Sequence, residues 1–438
     1  MPSFWPAIAA ASKIFEDCPN RNFFTGTYCA MSKKHSVAPL SSPALTCLEQ
    51  FASRIEAMRS SVAYFSELGQ RMAEPLLAGG DIFTPAISSF FPHEFCNRAG
   101  GLMGMRPATF VPRSRNDVAY FAFPDTRFWH PAKDASFRSL LSSPAKLFAV
   151  GRPEDLPASL RRHIDGFTGG DSPLASYYAV GKIKPLISFR PFEQLVRGWL
   201  TAGEMITACL RAGRMPVIWM SVWLEGALAR NASLYAHDNL REPWSVPLFH
   251  ERRYIPPLPP GYAAKVFLEE LSSICACLMA QAQILGWAGE WMAEACRRNR
   301  KIHAVAVGHC YPRILEVNSL SDYPIRWANS ASDLNVAVPL DIAKGDVALH
   351  LGYAPVDVTD VHRILARGVK LIYTSPYGRP ASLEDHPNLL WLDLPWRPGD
   401  ATVDIPGYGV RILPMSSSSQ TMAYYAILAN FAEWMGWK

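Results

Sequence analysis

Hydrophobic positions along the chain recur with two periods. Between Leu45 and Leu77 they fall three and four residues apart, with Leu48, Phe51, Ile55 and Met58 on one face and Gly79-Gly80 as a stop. That spacing predicts a helix. Short apolar runs then predict strands at 81–84, 118–123, 146–150 and 216–220. Among them lie a helix over 91–97, an extended piece at 108–111 and a long helix over 191–212 carrying Leu195, Leu200, Met205 and Leu210. The scheme returns after residue 261. A long helix over 263–296 leads to strands at 302–307, 346–351, 370–374, 389–392 and 410–413, with helices over 358–367 and 421–435. Short β-rich strands alternating with helices predict parallel sheets covered on both faces. The expected fold is therefore α/β: two doubly wound, three-layer, flavodoxin-like domains in tandem.

Between the two series, Pro243, Pro247, Pro256, Pro257, Pro259 and Pro260 crowd one stretch. Proline removes backbone donors and holds the chain extended, so neither a helix nor a central strand is expected there. The expected organisation is a poorly ordered tail over 1–43, a first domain over 44–240, a linker over 241–261 and a second domain over 262–438. Within the tail, Met31-Ser32-Lys33-Lys34 reads as a more ordinary start, which leaves residues 1–30 as an upstream extension.

Composition narrows the function classes. Of the 438 residues, 49% are hydrophobic and 18% charged, enough apolar material for large cores. The net charge is only +5, and the cluster Arg297-Arg298-Asn299-Arg300-Lys301 follows a predicted helix, where cations complement the helix dipole. No basic stripe with stacking aromatics is present, so a nucleic-acid partner is not expected. The nine Cys include no Cys-x-x-Cys pair, which favours free thiols in a reducing cytoplasm over disulfides or a metal site. The run 271–289 is apolar but contains Ser272, Ser273, Gln281 and Gln283 and has acidic flanks, so it is expected as a buried helix and no membrane partner is expected. No motif calls for a cofactor or metal.

In an open parallel sheet, ligands bind beyond the carboxyl ends of the strands. The loops that follow those ends supply the candidates. Ser88 and Ser89 offer hydroxyls ahead of a helix amino end, which suits a phosphate and equally suits capping. Gly308, His309 and Cys310 follow the first strand of the second series; His309 is a candidate for moving a proton. Gly352 and Tyr353, Thr374 and Ser375, and Ser221 end other strands, and a run of four serines, 416–419, precedes the predicted closing helix.

These residues carry a resemblance. The segment Phe91 to Leu102 is similar to the second helix of a subgroup of sugar-isomerase (SIS) domain proteins, in which a Gly-His-Ser-His loop leads to a Glu and then to Arg-Ala-Gly-Gly-Leu. Arg98 to Leu102 match outright and Glu94 matches the Glu, while Ile87-Ser88-Ser89-Phe90 replaces the loop. Gly308-His309-Cys310-Tyr311 resembles that missing loop, Val369 to Ser375 resembles a later strand ending in Thr-Ser, and Ser419 to Tyr425 resembles a helix near the end of the isomerase half of glucosamine-6-phosphate synthase. The Ser-Gly-rich phosphate loop of the family is reduced to Gly352 in Leu351-Gly352-Tyr353, and the segment that carries a catalytic Lys in the synthase is not expected here. With these departures, the resemblance implies a sugar-phosphate-binding protein, regulatory or without chemistry. The alternative it implies is a phosphosugar isomerase with Glu94 as base and His309 as acid–base partner. An assembly subunit whose aromatic surface serves contacts is a third reading, and a homo-oligomer is compatible with the sequence.

Overall fold

A computed structural model describes residues 42–87, 90–107, 112–124, 129–169, 177–178, 187–234, 246–306, 325–327, 342–353, 355–383 and 386–436. The chain opens with α1 (Pro43–Ser60) and α2 (Val62–Leu77), broken at Ser61 where a single helix was expected. Ser42 accepts from the Leu45 amide and Pro43 sits in the first turn, so the helix start is set by a side-chain cap and a preset φ. There follow β1 (Ile82–Thr84), α3 (Phe90–Phe95), β2 (Met105–Pro107), β3 (Val118–Ala122), α4 (Ala135–Leu141), β4 (Lys146–Val150), α5 (Ala158–Arg161) and β5 (Gly166–Phe167). A small pair, β6 (Tyr177–Tyr178) and β7 (Ile187–Ser188), precedes α6 (Arg190–Arg211) and α7 (Ala227–Leu234).

The second series runs α8 (Tyr262–Ala280), α9 (Ala282–Arg297), β8 (Ile302–Ala306), β9 (Ile325–Trp327), β10 (Val347–Leu351), α10 (Val358–Ala366), β11 (Lys370–Ser375) and β12 (Leu389–Asp393). It closes with the antiparallel hairpin β13 (Ala401–Val403) and β14 (Ile412–Pro414) and with α11 (Ser416–Trp434). The expected single helix over 263–296 is two helices bent by 65° at Gln281. Among the described residues no single helix is long and apolar enough to cross a membrane. The piece at 216–220 forms only isolated bridges, Leu102 with Ile218 and Pro216 with Phe249, and joins neither large sheet. The stretch 246–261 is therefore tied to the first half, with the Val217 amide on Leu248 O and the His250 amide on Met215 O, both at 2.9 Å.

Each series builds a five-stranded sheet, and every pairing in both is parallel. The orders are β2-β1-β3-β4-β5 and β12-β11-β10-β8-β9. Counted from its own first strand, each is the flavodoxin-like order 2-1-3-4-5. The two halves share a topology, as the two doubly wound domains required.

Side-chain alternation explains why the strands read as unbroken apolar runs. In β3, Val118, Tyr120 and Ala122 point into a core shared by both halves, while Ala119 and Phe121 join Phe123, Trp129 and Phe137 on the outer face. In β10, Val347, Leu349 and Leu351 enter the shared core and Ala348 enters the outer cluster around Val361, Ile364 and Tyr373. Helices α1, α2, α6, α8, α9 and α11 supply the rest of the shared core. Phe51 of α1 lies between the two series, with ring centroids 4.8 Å from Phe189, 4.6 Å from Phe192 and 6.2 Å from Tyr425.

The Arg-Ala-Gly-Gly segment meets the second half at Gly100. Its φ is +80°, and a Cβ there would lie 2.7 Å from Ala401 Cβ and 3.0 Å from the Leu413 amide nitrogen, which donates to Gly100 O at 3.0 Å. Only glycine meets both demands. Gly100→Ala is expected to destabilise the protein by about 2–3 kcal/mol, from backbone strain and overpacking together. Chemical denaturation checks it, and a loss under about 0.5 kcal/mol, the level of an ordinary surface change, would contradict the interface role.

Candidate functional site

Strand order reverses direction between β1 and β3 and between β8 and β10, and crevices open at such switch points beyond the carboxyl ends of the strands. In the second half the described part of that edge is the exit of β10 with its neighbour β11. Leu351 leads into Gly352, whose amide donates to Thr374 O at 3.0 Å and to Thr374 Oγ1 at 3.2 Å. A Cβ at Gly352 would stand 2.3 Å from Thr374 O, so the approach of the two strand ends requires glycine. Ser375 Oγ accepts from the Tyr377 amide at 3.0 Å and fixes the turn after β11. Both hydroxyls thus serve as turn-forming acceptors and keep their own hydrogens for donation. Tyr353 is buried, with its hydroxyl 3.4 Å from Ser221 Oγ, so the exit of β10 meets a loop residue of the first half here.

The closing helix reaches the same edge. The four serines, expected ahead of α11, form its first turn. Gln420 Nε2 donates to Gly352 O at 2.9 Å and to Leu351 O at 3.3 Å, which pins the exit of β10 to the head of α11. Asp400, at φ +72°, caps that head from a distance: its Oδ1 accepts from the Met415 amide at 3.0 Å and the Ser416 amide at 2.6 Å. A carboxylate at a helix amino end is favoured by the dipole.

Asp400 also faces the first half. Arg98 Nη2 lies 2.9 Å from Asp400 Oδ2 and donates to Ser416 Oγ at 2.7 Å and Ser417 Oγ at 3.1 Å. Ser417 Oγ in turn donates to Glu94 Oε2 at 2.9 Å, and Trp199 Nε1 donates to Glu94 Oε1 at 3.1 Å. Arg98 Nε is 3.6 Å from Glu94 Oε1. Arg98 is 1% exposed, Glu94 2% and Asp400 1%, so two carboxylates and one guanidinium are enclosed together. Around them Phe95 stacks on Trp199 with centroids 4.1 Å apart and on Phe91 at 4.2 Å. Burial pushes the Glu94 carboxyl up to about 7; Arg98 and the bonds from Trp199 and Ser417 pull it down, and Asp400 pushes it up again. Burial alone carries His350, on β10, down to about 3.

Of the residues that sequence reasoning singled out, Gly352, Tyr353, Thr374 and Ser375 come together at one edge. Glu94 reaches the same region through Ser417, from the other half. Ser88, Ser89, Gly308, His309 and Cys310 lie outside the described residues. Sequence reasoning raised the serine run 416–419 as a candidate but did not select Arg98 as a site residue, nor Asp400, Trp199 or Gln420. The Glu94–Arg98 spacing of four was legible; its partners lie about three hundred positions away, where no local pattern points to them. A surface groove of about 350 Å³ between α1 and α8, touching Ala52, Glu56, Arg59 and Met279, lies among helices and away from the strand exits.

No protein-family model matches the sequence, and no curated protein matches it closely enough to count as a relative. Among solved structures, the chain is similar to a candidate phosphosugar isomerase from Silicibacter pomeroyi DSS-3, with a TM-score of 0.45 and 11% identity over 90% of this chain and 99% of that one. It is also similar to a candidate sugar binding protein from Salmonella typhimurium LT2, with a TM-score of 0.44 and 8% identity, again over 90% of this chain and 99% of that one.

A raised carboxyl pKa has a definite sign in stability. Glu94 binds its proton more tightly folded, at about 7, than unfolded, near 4.5, so its contribution is greatest below pH 4.5 and is lost as pH rises through 7. Glu94→Gln removes that dependence. Its stability relative to the parent should improve by about 2 kcal/mol between pH 5 and pH 8, read from denaturation midpoints at each pH. A constant difference across that range would mean that Glu94 is ionised throughout.

Proposed function

We propose that this protein binds a sugar phosphate at the carboxyl ends of β10 and β11 and performs no chemistry on it. The observation that carries the reading is the arrangement at that edge. A glycine brings two strand ends together beside a switch point, two hydroxyls keep hydrogens to donate, and Gln420 of α11 closes the rim. Hydroxyl donors at a strand exit suit a polyhydroxylated ligand. The similarity of Phe91–Leu102 and of Val369–Ser375 to sugar-isomerase domain segments points to the same ligand class. Absence of chemistry is supported by Glu94, whose two oxygens are both held by donors inside the buried cluster.

A second reading, aldose–ketose isomerisation, is favoured by one observation. A carboxyl held at about 7 is poised for proton transfer near neutral pH. For Glu94 to act as base, the bonds from Trp199 and Ser417 would have to open toward a substrate carbon within about 3 Å.

Thermal melting against a panel of sugar phosphates tests the first reading. A ligand at one hundred times its dissociation constant should add about 2.7 kcal/mol, and Thr374→Val should reduce that ligand-dependent gain at least tenfold in affinity. Melting that ignores every sugar phosphate, or a gain untouched by Thr374→Val, would remove the proposed edge. Conversion of a bound sugar phosphate by the parent, abolished in Glu94→Gln, would instead select the isomerase.

A further inference from the structure

A second polar junction ties the β13–β14 hairpin to the first half, some distance along the hairpin from Asp400. Its centre is the hydroxyl of Tyr408, in the turn between β13 and β14. The Ile218 amide approaches Tyr408 Oη at 3.2 Å, Arg230 Nη2 at 2.9 Å and His250 Nε2 at 2.9 Å. Arg253 Nη2 donates to Tyr408 O at 2.7 Å and lies over the ring, its guanidinium carbon 4.8 Å from the centroid. Tyr408 itself is 3% exposed.

Counting hydrogens fixes the proton arrangement. A phenol oxygen accepts two hydrogen bonds and donates one. An amide N–H and a guanidinium N–H can only donate, and they occupy both acceptor positions. The phenol hydrogen is left for His250 Nε2, which must then be an unprotonated acceptor. His250 is neutral in this arrangement, with its hydrogen on Nδ1. A proton on Nε2 would put three donors on one oxygen and displace one of them.

The charged neighbours act in the same direction. Arg230 from α7 and Arg253 from the segment beyond His250 both face the imidazole, and burial, Arg253 and Arg230 all lower its pKa from the ordinary 6.5. Glu251 and Arg252 flank it in sequence and are exposed. Among the described residues the charged groups that act on the ring are these two guanidiniums.

We propose that Tyr408 and His250 form a proton-operated latch. The hairpin is fastened to the first half while His250 is neutral, and protonation of His250 releases it. The inference is independent of the ligand reading, since it rests on the hydrogen count at Tyr408. Because Asp400 immediately precedes β13, release loosens the hairpin whose base carries the Arg98 partner. A folded pKa below the unfolded one means that this contribution is complete above 6.5 and is lost as pH falls through the folded value.

Amide hydrogen exchange at Ile218, corrected for the intrinsic effect of pH, reads the latch directly. Protection in the parent should stay constant above pH 6.5 and fall about fivefold as pH drops through the His250 midpoint read by NMR, the factor carried by one hydrogen bond of about 1 kcal/mol. In His250→Gln, whose side-chain oxygen accepts without titrating, protection should not fall. Equal protection of the parent above and below that midpoint, or an equal fall in His250→Gln, overturns the proposal. Should His250→Gln not fold, the His250 titration followed by NMR decides. Its midpoint should lie below 6.5 in the parent and rise in Tyr408→Phe, and identical midpoints overturn the latch.

Discussion

One guanidinium constrains how the two halves meet. Arg98 arrives from the segment after α3 and finds Asp400 ahead of β13, two serines at the head of α11 and Glu94 on its own helix. A buried ion pair adds little net stability, because desolvation offsets attraction, but removing one partner leaves an uncompensated charge in a dry interior. The cluster therefore acts as a condition on geometry more than as a source of stability. The halves cannot slide or part without stranding Arg98 among Phe95, Phe91 and Trp199. That condition brings the helix that follows β1 up to the helix head that closes β10.

The shared core supplies what the cluster does not. Both sheets turn one face toward the same helices, and α1 packs more extensively against α8 and α11 than against its sequence neighbour α2. Apolar burial on this scale is non-directional. It fastens the halves without specifying their register, which is left to directional contacts: Gly100 against Ala401 and Leu413, Asp400 on the α11 amides, and Gln420 on the β10 carbonyls. Leu413 sits at φ +64°, a conformation that costs a bulky residue energy and is held by burial and by its bond to Gly100. Strain of this kind next to the cluster is consistent with a junction whose shape is dictated by its partners.

Much of the fold was legible because its strands are buried on both faces. Such strands read as apolar runs, and 146–150, 302–307 and 370–374 were placed to within one residue. The helix breaks at Ser61 and Gln281 were not legible, since the apolar period continues across both and only packing decides the bend. Residues 216–220 read as a strand by composition, yet they bridge to Gly101–Met103 and Leu248–His250 instead of extending a sheet, a choice made by distant partners. The candidate site divides the same way. Gly352, Thr374 and Ser375 were found from strand-end position, which local sequence reveals. Arg98, Asp400 and Ser417 act on each other across the whole chain, and the i,i+4 spacing of Glu94 and Arg98 says nothing of how deeply that pair is buried.

A double-mutant cycle on Arg98 and Asp400 tests the central claim most directly. Arg98→Met and Asp400→Asn are each expected to cost about 3–5 kcal/mol, because each leaves buried charge or capping groups unmatched. Together they should cost less than their sum by about 2 kcal/mol or more, since the double variant no longer isolates either charge. Additivity to within about 0.5 kcal/mol would show that the two groups do not depend on each other, and that the halves are held in register by something other than this pair.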